Sequence, residues 1–142
     1  MTEELCGVFN GETALIADDD EFFRELLEAL LTFAGIEVVA KEPSGDKALL
    51  EFLKHQPQMV FLDINMPGVN GLDALSQIKS ISPSTLVFVI SGETTRENLL
   101  KAISDKADAI IAKPFNFAQV IEKVQAAVES PGGFRRIPSF AG

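Results

Sequence analysis

Asp63 stands at the end of the apolar run Met59-Val60-Phe61-Leu62 and is followed by Ile64-Asn65-Met66-Pro67-Gly68. A buried strand thus hands a carboxylate to a loop. There it can serve as a nucleophile or metal ligand, because the sheet fixes its backbone while its side chain faces a loop-lined crevice. Three more apolar runs end in residues with chemical capacity. Thr13-Ala14-Leu15-Ile16-Ala17 leads into Asp18-Asp19-Asp20, Leu86-Val87-Phe88-Val89-Ile90 into Ser91-Gly92, and Ala109-Ile110-Ile111-Ala112 into Lys113-Pro114. If these strands are parallel and adjacent, clustered acids, a hydroxyl and a lysine meet at one edge. Those are the parts needed for Mg²⁺-assisted phosphoryl transfer to a carboxylate.

Acids packed beside Asp63 are costly unless a cation binds or a proton is taken up. Mg²⁺ takes about six oxygen ligands and usually keeps several waters. Asp19, Asp63, a backbone carbonyl near Asn65 and a phosphate oxygen can complete such a shell, with Asp18 acting directly or through water. Ser91 and Lys113 can approach the oxygens of a phosphoryl group carried by Asp63 and spread the remaining charge. Each residue also has a plainer account. Asp20 reads as an N-cap or first-turn acid, capping would explain at least one of Asp18 and Asp19, Asp63 alone could be a turn residue, Ser91-Gly92 an ordinary strand exit and Lys113 solvated. Those accounts must all hold independently at four strand ends, and this favours one shared site. His55, the sole histidine, reads as a helix-end or solvent-facing residue, and no glycine loop of the Walker type is present.

The elements that must position these residues are legible as an alternation of short apolar runs with longer helical patterns, the mark of βαβ units and a parallel sheet covered on both faces. Phe22, Phe23, Leu26, Leu27, Leu30, Leu31 and Ala34 recur at helical spacing before Gly35. Glu37-Val38-Val39-Ala40 predicts a short, weak second strand, and Ser44 predicts the cap of a second helix through Ala48, Leu49, Phe52 and Leu53, ending before Pro57. After the Pro67/Gly68/Gly71 loop, Leu72, Leu75 and Ile78 mark a third helix that stops at Ser80-Ile81-Ser82-Pro83. Leu99, Leu100 and Ile103 give a fourth helix of narrower apolar face, capped by Thr94 or Thr95. Phe117, Val120, Ile121, Val124, Ala127 and Val128 form the last helix, stopped by Pro131-Gly132-Gly133.

The 142 residues suit one domain that buries its own core. We read residues 1–11 as an N-terminal extension, 12–130 as the domain and 131–142 as a tail. A net charge of -9, from 21 acids against 12 bases, supplies no basic footprint for nucleic acid or an anionic membrane. Cys6, the single cysteine, rules out an internal disulfide and a cysteine-rich metal site and fits a reducing compartment. Met1-Thr2-Glu3-Glu4 lacks the basic start of a secretory signal, and no apolar stretch nears the roughly 20 residues needed to span a bilayer, so a cytoplasmic location is expected.

Taken as a set, Asp18-Asp19, Leu62-Asp63-Ile64-Asn65-Met66-Pro67-Gly68, Ser91-Gly92 and Lys113-Pro114-Phe115 resemble the receiver domain of two-component response regulators, over roughly residues 12–130. The resemblance implies a flavodoxin-like, doubly wound α/β fold with five parallel strands in order 2-1-3-4-5 and five helices. It implies that Asp63 is phosphorylated from the phosphohistidine of a sensor histidine kinase or histidine phosphotransfer protein, or by a small phosphodonor. It further implies Mg²⁺ on Asp18, Asp19, Asp63 and the Asn65 carbonyl, Ser91 as a switch hydroxyl and Lys113 as its charge partner. The Lys113-Pro114 bond is often cis in the family, and Asn65 and Glu93 fall where residues tune dephosphorylation. A downstream protein target would read the signal, with the chain as a monomer or a phosphorylation-dependent dimer. Two positions depart from the pattern: Ile110 replaces the usual switch aromatic and Lys106 a common glycine. Weaker or rerouted switching at the face of the fourth helix, fifth strand and fifth helix is the expected result. The competing readings are a degenerate receiver acting only as a binding module, and a haloacid dehalogenase-type phosphatase using Asp18-Asp19-Asp20 as its Asp-x-Asp.

Overall fold

The computed structural model describes residues 7–93 and 95–129. Cys6, most of the N-terminal extension, the tail at 131–142 and Thr94 as a helix cap lie outside the described residues. Five strands, β1 (Thr13–Ala17), β2 (Glu37–Glu42), β3 (Met59–Asp63), β4 (Leu86–Ser91) and β5 (Ala109–Ala112), alternate with α1 (Glu21–Phe33), α2 (Gly45–His55), α3 (Gly71–Ile81), α4 (Arg96–Ser104) and α5 (Phe117–Glu129). All pairings are parallel, in the order β2-β1-β3-β4-β5.

Because side chains alternate along a strand, each strand feeds two cores. Ala14, Ile16, Phe61, Phe88 and Ile90 face Leu27 and Leu31 of α1 and Val120, Ile121 and Val124 of α5. Leu15, Ala17, Val60, Leu62, Val87 and Val89 face Phe52 of α2, Leu72, Leu75 and Ile78 of α3 and Ala102 of α4. On the first side Phe61 and Phe88 stack, with ring centroids 4.8 Å apart.

The helix ends follow local chemistry. Asp20 caps α1 through the Phe22 and Phe23 N–H groups, Ser44 caps α2 through Lys47, Asn70 caps α3 through Asp73, and Thr95 caps α4 through Asn98. β2 extends to Glu42, two residues beyond the short strand expected. Its last residues are polar but stay in register with β1, Lys41 opposite Ile16 and Glu42 opposite Ala17, and the Lys41 ammonium reaches Glu25 and Glu28 of α1 at 2.9 and 2.6 Å. An edge strand needs no apolar alternation on its outer side, so its length is invisible to hydrophobic patterning.

Lys106 is more than a composition change. The Ala107 N–H bonds the Ala102 carbonyl and the Lys106 N–H that of Ile103, the paired bonds of a Schellman end for α4, with Lys106 at φ +68°. Glycine is the usual occupant of that left-handed position, and Gly35 takes it after α1 at φ +96°.

Candidate functional site

The parallel order brings the carboxyl ends of β1, β3, β4 and β5 to one edge of the sheet, and the side chains that follow them meet there. Asp18 and Asp63 are 1% and 3% exposed, while Asp19 is open to solvent. Carboxylate oxygens of the three lie within 4.8 Å of one another. The Lys113 ammonium lies 2.9 Å from Asp18 Oδ2 and 3.4 Å from Asp63 Oδ2.

Asp18 is held from several directions. Its N–H donates to the Glu42 carbonyl at 3.0 Å, its Oδ1 accepts the Asp20 N–H at 2.8 Å, and its own carbonyl accepts Arg24 Nη1 at 2.7 Å. Local turn chemistry and the site therefore share this residue. Asp20, by contrast, turns its carboxylate back onto the first N–H groups of α1. It is spent on the helix, which removes the second acid that the phosphatase reading requires.

Asp63 owes its place to both flanks. Its strand neighbours Met59 to Leu62 are fully buried, and after it the chain passes so near the start of α3 that a Cβ on Gly71 would lie 2.1 Å from the Asp63 carbonyl oxygen. Only glycine fits that approach. Asn65 is exposed and lines a shallow cleft with Asp19, Met66, Asn70 and Asn98. Ser91 is 1% exposed, one residue past Ile90, the register partner of Asp63. Its hydroxyl donates to the Glu93 carbonyl, and its carbonyl accepts the Lys113 N–H at 2.9 Å. The Lys113–Pro114 peptide bond is cis. His55 sits at the last residue of α2, 3.1 Å from Glu51 and away from this edge.

Among the described residues Lys113 pairs with Asp18 and Asp63, and the Arg24 guanidinium meets the Asp18 backbone carbonyl instead of a carboxylate, so the three acids keep an excess of negative charge. Burial and then the neighbouring Asp18 charge raise the Asp63 carboxyl from 3.8 to about 6, and Lys113 only partly opposes them. Burial alone would lower the Lys113 ammonium, but its pairing with Asp18 and Asp63 outweighs that and raises it. An all-oxygen donor set with excess negative charge and an open cleft on the Asp19 side fits a small hard dication such as Mg²⁺.

Two contacts were not legible in the sequence. Arg24, which is not part of the apolar spacing that marks the first helix, reaches the Asp18 carbonyl. Phe23, one of the apolar residues at helical spacing, has its ring centroid 4.4 Å from the Lys113 ammonium. A basic residue and an aromatic one turn after an acid pair would be the only sequence signal for either.

The model of the response regulator receiver domain matches residues 14–125. The chemotaxis protein CheY of Thermotoga maritima is 35% identical over 112 residues, covering 79% of this chain and 93% of the relative. CheY of Bacillus subtilis is 34% identical over 110 residues, 78% and 92% of the two chains. Among solved structures, a CheX-CheY complex with BeF3 and Mg²⁺ from Borrelia burgdorferi superposes with a TM-score of 0.79 at 26% identity, over 83% of this chain and 90% of that one. No described helix is long and apolar enough to cross a membrane. The chain belongs to the response regulator receiver domain family, a CheY-like signalling module of phosphorelay systems.

Proposed function

We propose that Asp63 is the phosphoryl acceptor, and that residues 12–130 form the receiver unit that presents it. The observation that carries this is the charge imbalance at a buried strand end: Asp63 and Asp18 share one lysine, Asp63 facing it at 3.4 Å, and Asp19 adds a third carboxylate beside them. In transfer from a phosphohistidine, an Asp63 oxygen bonds to phosphorus as the P–N bond breaks, and that bond's electron pair returns to the imidazole nitrogen. Mg²⁺, when bound, offsets the charge of the acceptor and of the incoming phosphoryl oxygens. Asp19, Asp63 and the Asn65 carbonyl would hold it, with Asp18 direct or through water.

Lys113 stays within ion-pairing reach as the negative charge on Asp63 grows. Ser91 must give up its bond to the Glu93 carbonyl before its hydroxyl can meet a phosphoryl oxygen. The donor is a sensor histidine kinase or histidine phosphotransfer protein in the cytoplasm. Beyond accepting that group, the chain phosphorylates itself from small donors and loses the phosphoryl slowly to water, and a protein target rather than nucleic acid or membrane reads the state.

Incubation with acetyl phosphate and Mg²⁺, followed by intact mass, tests this. Wild type should gain one phosphoryl group only with Mg²⁺, and Asp63→Asn none. Folded, magnesium-bound protein that gains nothing from several donors would instead make the chain a binding module.

A further inference from the structure

The apolar stripe of α1 does more than close the core. Leu27 and Leu31 are buried against the sheet, while Phe23, one turn earlier, packs on the same core and is only half-buried. Its ring centroid is 4.4 Å from the Lys113 ammonium, the distance of a close cation–π contact. Two other rings brace it. Phe115 sits 5.6 Å away at a 52° tilt, and Phe22 meets it edge-on at 5.2 Å while remaining 66% exposed. The Lys113 side chain is only 12% exposed, with Asp18, Asp63 and this ring as its neighbours.

We infer that Phe23 is a positioning residue for phosphoryl transfer to Asp63, acting through Lys113. A lysine ammonium ends a flexible four-carbon stem and is strongly attracted to water. Two carboxylates alone would hold it where negative charge is greatest in the resting state. The ring presents its negative face to the ammonium and excludes water there without competing as a hydrogen-bond acceptor. Lys113 thus stays desolvated and poised over Asp63, and its donors remain free to turn to phosphoryl oxygens as they arrive. A side chain that merely fills space would leave the ammonium room to escape into solvent. The inference rests on Asp63 as acceptor, and the test separates the two.

The experiment replaces Phe23 with mono-, di- and pentafluorinated phenylalanine, which keep the ring's shape while withdrawing the negative charge from its face. Two readouts are taken on the full chain. One is the rate of phosphoryl gain from acetyl phosphate with Mg²⁺, by timed intact mass. The other is the NMR signal of the Lys113 ammonium in metal-free protein, identified by its loss in Lys113→Arg. We expect the rate to fall stepwise to about two- to fivefold below wild type across the series, with the ammonium signal broadening in parallel as water gains access. Phe23→Trp should match or exceed wild type and Phe23→Leu should fall to the pentafluoro level. In a Lys113→Gln background the fluorinated series should have no further effect on the residual rate. A rate and an ammonium signal that ignore fluorination would overturn the inference, as would an equal fall in the Lys113→Gln background. If even wild type gains no phosphoryl group, the acceptor reading fails by itself, and an ammonium signal still sensitive to fluorination would sustain the Phe23–Lys113 contact alone.

Discussion

The two ends of the sheet each hold a lysine–aspartate pair largely out of solvent, and they are built on opposite plans. At the amino end, Lys79 meets Asp108 Oδ2 at 2.8 Å and the carbonyls of Thr85 and Pro83 at 2.7 and 3.4 Å, while the same Asp108 oxygen accepts the Val87 N–H at 2.8 Å. One acid answers one base, and neighbouring backbone groups add hydrogen bonds to both. At the carboxyl end, Lys113 pairs with two acids, Asp18 and Asp63, and a third, Asp19, lies beside them open to solvent. A balanced buried pair is a structural joint. An unbalanced one leaves room for a cation, and this difference favours the carboxyl end as the functional one.

The largest break in this comparison comes from removing an acid at each end. Asp108→Ala leaves a mostly buried ammonium and the Val87 N–H without their carboxylate, and should cost about 3 kcal/mol of unfolding free energy. Asp63→Asn should do the reverse in metal-free protein, raising stability by about 2 kcal/mol, because it relieves a carboxyl held well above its ordinary range. Urea titrations of both variants beside wild type decide it; a loss of stability in Asp63→Asn would mean that Lys113 already balances the site.

Acidity sharpens the same contrast. Asp63 has a folded-state value of about 6 against 3.8 ordinarily, so the folded protein takes up its proton before the unfolded chain does. Its destabilising charge is fully present above pH 6, and the penalty is relieved progressively as pH falls from about 6 to 3.8. The stability gap between Asp63→Asn and wild type should therefore be widest near pH 7.5 and close toward pH 4. Mg²⁺ should narrow it at neutral pH by stabilising wild type alone. Denaturation at several pH values, with and without the ion, checks both; a gap that widens on acidification would reverse the sign assigned to Asp63.

How much of this was legible in the sequence follows the same division. The β1, β3, β4 and β5 strands could be found because central strands of a parallel sheet are apolar throughout, and the residues at their ends could be named because chemistry sits where those runs stop. β2 was read two residues short, since Lys41 and Glu42 are held by register and ion pairing at an edge. Helical spacing places Phe23 on the apolar stripe of α1 with Leu27 and Leu31. It says nothing of the ammonium that the Phe23 ring meets. Arg24 on the Asp18 carbonyl and Ser91 on the Glu93 carbonyl are tertiary and loop contacts with no periodic signal. Pattern thus locates the acids, and only packing reveals what restrains them.

Lys106 gives the smallest effect and the cleanest separation of the two ends. It closes α4 on the way into β5, in a left-handed conformation that costs a residue with a Cβ about 1 kcal/mol and glycine almost nothing. Glycine also frees the unfolded chain, which returns about half of that gain. Lys106→Gly should therefore stabilise the protein by only about 0.5 kcal/mol, readable as a small upward shift in denaturation midpoint at unchanged slope. Phosphoryl gain from acetyl phosphate should stay at the wild-type rate, because this strain lies at the structural end and contributes nothing to the charge imbalance at the other. A changed rate would mean that the α4 terminus communicates with Ser91 and Lys113 across the length of β4 and β5. The two ends would then form one coupled unit, with Lys106 as part of it.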